Sequence, residues 1–138
     1  MSDKSIQLLY PPADTTLFET KISTFWFDEN GILCALSKKV ERTIEHYQEI
    51  FDLYKTFIKK GEKLCLLADL YDSMPISKEV RDFMTAEIPN YVKAHAIVSS
   101  TSFNSSQTSA FIKFNFLDFP VKLFPTIEEA KQWLKDYF

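Results

Sequence analysis

The sequence predicts an α/β fold: a mixed sheet of about five strands with about four helices, in the order ββαβαβαβα. Three observations carry that expectation. The pair Asn30-Gly31 separates two apolar segments, a signature of a β-hairpin. Beyond it, short apolar runs alternate with stretches in which apolar residues recur every three or four positions, the pattern of strands joined by helical crossovers. The chain has 138 residues, 46% hydrophobic and 25% charged, which suits a single core of ordinary composition.

Residues 1–16 read as an N-terminal arm, because Pro11-Pro12 cannot sit in a ladder and the flanking residues show no period. Residues 17–138 read as one domain. Leu17 to Phe27, rich in Thr, Ile, Phe and Trp, predicts the first strand. Asn30-Gly31 tolerates positive φ at both turn positions, so a tight hairpin over Glu29–Gly31 leads to a second strand, Ile32–Ser37. Ile44, Tyr47, Ile50, Phe51, Tyr54, Phe57 and Ile58 form the stripe of the first helix, capped by Thr43 and closed by Lys59-Lys60-Gly61. Leu64–Leu70 is a continuous apolar run, as in a strand buried on both faces. Ser77 caps a second helix with Val80, Phe83, Met84 and Ile88 inward and Pro89 near its end. Ala94–Val98 predicts another buried strand. A helix on Ala110, Phe111, Phe114 and Leu117 and a strand at Val121–Phe124 follow. Thr126-x-x-Glu129 is a capping box opening a last helix with Ile127, Ala130, Trp133, Leu134 and Phe138 inward.

Composition narrows the function. A net charge of −3 gives no basic balance for nucleic acid. Both of the two glycines, Gly31 and Gly61, are accounted for by turns, which leaves no Gly-rich loop to cradle a phosphate or dinucleotide. Cys34 and Cys65 lie in apolar runs and read as reduced, buried thiols. His46 on the polar side of a helix and His95 within a strand lack metal-ligand spacing, and no Ser or Cys has the flanking glycines of a nucleophile elbow. No cofactor or metal is expected. The N-terminus carries no leader pattern and no segment is apolar for ~20 residues, so a cytoplasmic protein without membrane insertion is expected. Aromatic residues make up 15% of the chain, which serves an aromatic core or an interface; with an arm able to reach a neighbour, it leaves a homodimer open.

Most carboxylates fall on polar helix faces or helix starts. Asp69 and Asp72 differ: they follow a buried strand, at the sheet edge where ligands sit in open α/β proteins, although Asp also favours turns. The run Ser99–Ser109 follows the next buried strand. It reads either as a solvated loop with a frayed helix start or as a place where hydroxyls and free N–H groups converge on an anion. Phe103, isolated in it, is a packed staple in the first case and an exposed anchor in the second.

Four segments carry a family resemblance over about Leu17–Phe138: the hairpin FWFDENGIL, the stretch LLADLYDSMPISKEVRDF, the Ser-rich turn after AHAIVSS, and the ending PVKLFPTIEEAKQWL. With the order of elements, they make the chain resemble the SpoIIAA-like, STAS-type domains, and more closely an uncharacterised bacterial family of that group. The resemblance implies that fold and a non-catalytic binding role. STAS antagonists of anti-sigma factors carry a phosphorylated serine in an Asp-Ser-Gly type motif at the start of the second helix. Here Ser77 stands where that family has its Asp and Lys78 where it has the serine, so the phospho-switch does not carry over and Ser77 reads as a helix cap.

The leading expectation is therefore a regulatory or interaction module that docks a protein partner of unknown identity. Its surface would centre on Tyr71, Asp72, Ser73, Ser102, Phe103 and Asn104, since loops after parallel strands emerge on one edge and each of these two holds an aromatic among polar residues. The alternatives are a small-ligand or lipid carrier, favoured by the many Phe, and an enzyme built on Asp69, Tyr71, Asp72 and Ser73.

Overall fold

A computed structural model describes residues 9–69, 76–98 and 120–138. The described residues form one six-stranded mixed sheet whose strands lie side by side in chain order. They are β1 (Phe18–Glu19), β2 (Ser23–Phe27), β3 (Leu33–Ser37), β4 (Leu64–Asp69), β5 (Val92–Val98) and β6 (Val121–Phe124). β1, β2 and β3 pair antiparallel, and β3 through β6 pair parallel. The helices are α1 (Ile44–Phe57), α2 (Lys78–Glu87) and α3 (Ile127–Leu134). The expected helix on Ala110–Leu117 lies outside the described residues.

The first strand is corrected. Leu17–Phe27 is not one strand but two, broken where the Thr20 backbone N–H and hydroxyl both donate to the Ser23 carbonyl and the Ser23 N–H donates back to Thr20 Oγ1. A short polar side chain that competes for backbone groups folds the strand back on itself, and the sheet gains a sixth strand. β5 also starts two residues earlier than expected, at Val92.

The hairpin forms between the expected strands, with Thr24 opposite Leu36 and Phe25 opposite Ala35. Its turn spans Glu29–Gly31, as the sequence predicts, but positive φ is not taken at both Asn30 and Gly31. Gly31 N–H donates to the Asp28 carbonyl at 3.1 Å and Asp28 N–H to the Ile32 carbonyl at 2.9 Å, and only Gly31 takes positive φ (85°). Asn30 stays on the ordinary side because Asp28 organises the loop instead: its Oδ1 accepts from the N–H groups of Asn30 (2.8 Å) and Ile32 (2.9 Å). Its Oδ2 lies 3.1 Å from Lys131 Nζ on α3. Burial works against the Lys131 ammonium, but the hydrogen bond and charge of Asp28 more than offset it and leave the pKa raised.

Two apolar layers sandwich the sheet. On one face α1 and α2 set Tyr47, Ile50, Phe51, Tyr54, Val80 and Met84 against Phe25, Leu33, Leu66 and Ala68. On the other, α3 and the arm set Ala130, Leu134 and Leu9 against Trp26, Cys34, Cys65, Leu67 and Ala96. Both α1 and α2 lie on one face because successive right-handed crossovers stepping in one direction return the chain on the same side. α1 opens with a complete capping box: Thr43 Oγ1 accepts from His46 N–H and His46 Nδ1 accepts from Thr43 N–H, each 3.2 Å. His46 is therefore a cap and not a free surface residue. At Thr126 the hydroxyl accepts from Glu129 N–H as expected. The last helix stops earlier than its stripe suggests, passing into a 3-10 turn at Lys135–Tyr137, which leaves Phe138 exposed instead of inward.

Asp28 thus ties the hairpin to α3. Replacing it with alanine removes two backbone hydrogen bonds to a charged acceptor and unpairs Lys131, and should cost about 2–4 kcal/mol in urea unfolding. Asp28→Asn, which keeps Oδ1, should cost roughly half as much. An alanine variant within ~0.5 kcal/mol of the parent would contradict this role for Asp28.

Candidate functional site

The parallel strands β3 to β6 all end on the same edge of the sheet, and both α1 and α2 start there. The pairing of β4 with β5 runs without interruption from Cys65↔Ala94 to Asp69↔Val98. The chain therefore leaves two neighbouring strands at the same level of the edge. Such an edge, with strand ends and helix N-termini gathered together, is where open α/β sheets place their ligands.

Asp69 closes β4 and is completely buried, its neighbours across the sheet being Leu36 and Val98. Alternation along β4 turns it toward the face covered by α3, the face of Cys65 and Leu67. There its Oδ2 accepts from the Leu9 backbone N–H at 3.2 Å. Leu9 is buried among Trp26, Leu67 and their neighbours. At this point the arm packs on its own sheet, and Asp69 is a structural acceptor for it. Residues 1–8 of the arm lie outside the described residues.

On the opposite face, the connection from β3 to α1 carries Arg42, 9% exposed. Its Nη1 donates to the hydroxyl of Tyr47, at 3.0 Å, on the inward side of α1. Nε and Nη2 are buried and have no hydrogen-bond partner among the described residues. Sequence inspection missed Arg42, because in KKVERTIEH it looks like one more cation of a solvated connection. At α2, Ser77 is the helix cap, its hydroxyl accepting from Val80 N–H at 3.2 Å, and Lys78 pairs with Asp82 at 2.8 Å.

Of the residues expected to form the docking surface, Tyr71, Asp72, Ser73, Ser102, Phe103 and Asn104 all lie outside the described residues. Only the strand ends from which their segments depart, Asp69 and Val98, are placed.

The reactive side chains that are placed are quiet. Cys34 and Cys65 are free and buried, as the sequence predicts. Burial, with a smaller contribution from the charge of Asp28, pushes the Cys34 thiol up to about 12, and burial raises Cys65 as well. Burial likewise pulls His95 down to about 4. It sits in β5 between Leu66 and Val121, and its Nε2 is buried with no partner among the described residues. Among the described residues no three His, Cys, Asp or Glu side chains gather as a metal site, and no helix is long and apolar enough to cross a membrane.

The model of a domain of unknown function, DUF7793, matches residues 25–138. The chain belongs to the DUF7793 family. That span takes in most of the hairpin and, among the described residues, the four parallel strands and the three helices of this DUF7793 domain. None of the curated proteins matches it. Among solved structures it is similar to an uncharacterised protein from the DUF3478 family, with a SpoIIAA-like fold, from Shewanella loihica PV-4. The TM-score is 0.57 at 14% identity, covering 87% of this chain and 91% of that one. The DUF7793 chain therefore has a SpoIIAA-like fold.

The state of His95 gives a pH dependence. The folded protein holds His95 neutral, while the unfolded chain takes up its proton near the ordinary value of 6.5. Its contribution to stability should be complete above that value, decline as pH falls from 6.5 toward about 4, and be gone below it. At ~1.4 kcal/mol per unit the loss amounts to roughly 3 kcal/mol. Urea unfolding across that window checks it against His95→Gln, whose acid limb should be shallower. An NMR titration of His95 with its midpoint at or above the ordinary value would contradict the assignment.

Proposed function

We propose that the chain is a non-catalytic regulatory or interaction module that docks a protein partner at the C-terminal edge of its parallel strands. The observation that carries this reading is the register Asp69↔Val98. Two adjacent strands end together there. The segments that follow them hold Tyr71, Asp72 and Ser73 in one case and Ser102, Phe103 and Asn104 in the other. Each has one aromatic among polar neighbours, the composition of an anchor with a polar rim. Departure from neighbouring strand ends favours a shared surface over two separate ones.

The state of the placed reactive groups supports a binding role over a chemical one. A thiol pushed up to about 12 holds almost no thiolate at neutral pH, and a histidine held down near 4 is a weak base there. Two free, buried thiols suit a reducing compartment, which supports a cytoplasmic location.

Affinity capture from the native host, comparing the parent chain with Phe103→Ala, tests the reading. Truncating a central anchor typically costs more than ~1 kcal/mol of binding, so the variant should retain several-fold less partner at an unchanged melting temperature. Equal capture by the two proteins would reject the surface. So would a lowered melting temperature in Phe103→Ala, which would make Phe103 part of the core.

A further inference from the structure

The edge of the sheet opposite the proposed docking surface carries rings and lysines side by side. β2 ends at Phe27, opposite Leu33 where β3 begins, and Leu33 lies beside Leu66, two residues into β4. α1 runs back from the far edge and also ends here, at Phe57. The Phe27 and Phe57 rings meet edge to face at 4.9 Å, and Phe18 meets Phe57 at 4.8 Å. All three rings are half-buried, as is Ile58, the C-cap of α1. The corner thus keeps apolar area in water that a further contact would bury.

Lysines follow at once in the chain. Lys59, Lys60 and Lys63 are all exposed. The ion pairs among the described residues use Lys38, Lys55, Lys78 and Lys131, and none uses these three. Lys60 has an unusual backbone. The Lys59 carbonyl accepts from Glu62 N–H at 3.1 Å, closing a turn with positive φ at both central residues, 56° at Lys60 and 77° at Gly61. Among the described residues Lys60 is the only one besides glycine with positive φ. That conformation crowds Cβ against the backbone, so glycine would hold the same turn at lower cost. The negative end of α1 favours cations at Lys59 and Lys60, but it accounts neither for the strain at Lys60 nor for Lys63 beyond the turn. A strained position occupied by an exposed charge points to a use outside the fold. A Cβ at Gly31 or Gly61 would meet nothing within 4 Å, so the hairpin turn and the Lys60 turn both stand in open space. The exposed acidic residues on these two turns are Glu29 and Glu62, so the three lysines leave the corner positive in a chain of net charge −3.

We propose that this corner is a peripheral docking surface for an anionic lipid membrane. Phe27, Phe57 and Ile58 rest at the level of the headgroups, and Lys59, Lys60 and Lys63 meet the lipid anions, their stems lying along the apolar corner. Charge complementarity selects an anionic surface, and two turns projecting into open space beside half-buried rings suit a broad surface better than an enclosed ligand. The proposal does not rest on the docking surface above. The two lie at opposite edges of the sheet, so a domain held at a membrane still presents the strand ends Asp69 and Val98 away from it.

The full-length protein is sedimented with vesicles of phosphatidylcholine alone and of equal parts phosphatidylcholine and phosphatidylserine. It should sediment with the second and not with the first, and the binding should fall as salt is raised. Reversing Lys59, Lys60 and Lys63 together to glutamate should weaken binding at least tenfold, whereas Lys39→Glu with Lys78→Glu, at the other edge, should not. Lys60→Gly separates the surface from the fold: the melting temperature should rise while vesicle binding falls several-fold. Equal binding to both kinds of vesicle, binding to neither, or an undiminished triple variant would overturn the proposal. So would a Lys60→Gly variant that melts lower than the parent or binds vesicles as well. Tighter binding to soluble polyglutamate than to the vesicles would also overturn it and make the partner an acidic peptide.

Discussion

Burial of β4 from both sides is the constraint on which the other elements depend. Every residue of Leu64–Asp69 is buried. Its even-numbered members face α1 and α2, and its odd-numbered members face α3 and the arm. A strand with no solvated face needs a covering layer above and below, which parallel pairing with helical crossovers supplies. The first layer comes from α1 and α2, the elements that enter and leave β4. The second comes from the far ends of the chain, Leu9 on one side and Ala130 and Leu134 on the other. The domain therefore closes only when both ends of the chain have returned to its centre.

Three buried charged groups mark the two ends of the parallel strands. Asp28 lies at the N-terminal end of β3, where two backbone N–H groups and Lys131 satisfy it. Asp69 lies at the other end of the parallel strands and receives the arm through Leu9 N–H. Arg42 lies at that same end but on the opposite face, held by Tyr47 through one nitrogen and leaving a two-nitrogen fork without a partner among the described residues. Two of these groups are explained by the fold they stabilise. Arg42 is not: its Nε and Nη2 are buried without a partner among the described residues.

The sequence made the repeating elements legible. The stripe of α1, the continuous apolar run of β4, and the caps at Thr43, Ser77 and Thr126 all follow from periodicity and from which side chains can accept from a free N–H. It concealed features decided by tertiary contact. Thr20 looks like a good strand residue, yet its hydroxyl folds the chain back and divides the first strand. Asn30-Gly31 marks the turn, but not that the Asp28 carboxylate, paired with Lys131 more than a hundred residues away, holds it. Leu9 carries no period because its contact is a single anchor, and Arg42 looks solvated because burial is not written into an isolated cation. The six surface residues followed from topology, whose premise, the side-by-side ending of β4 and β5, is present.

Native-state hydrogen exchange tests the central claim most directly. If β4 is closed only when both layers are in place, the amides of Leu66, Leu67 and Ala68 can exchange only by global unfolding. Their exchange free energy should then equal the stability measured in urea, while the two-residue strand β1 exchanges through local openings. Exchange of the β4 amides at a free energy well below global stability, or faster than that of β1, would show that the doubly covered strand is not what holds the domain together.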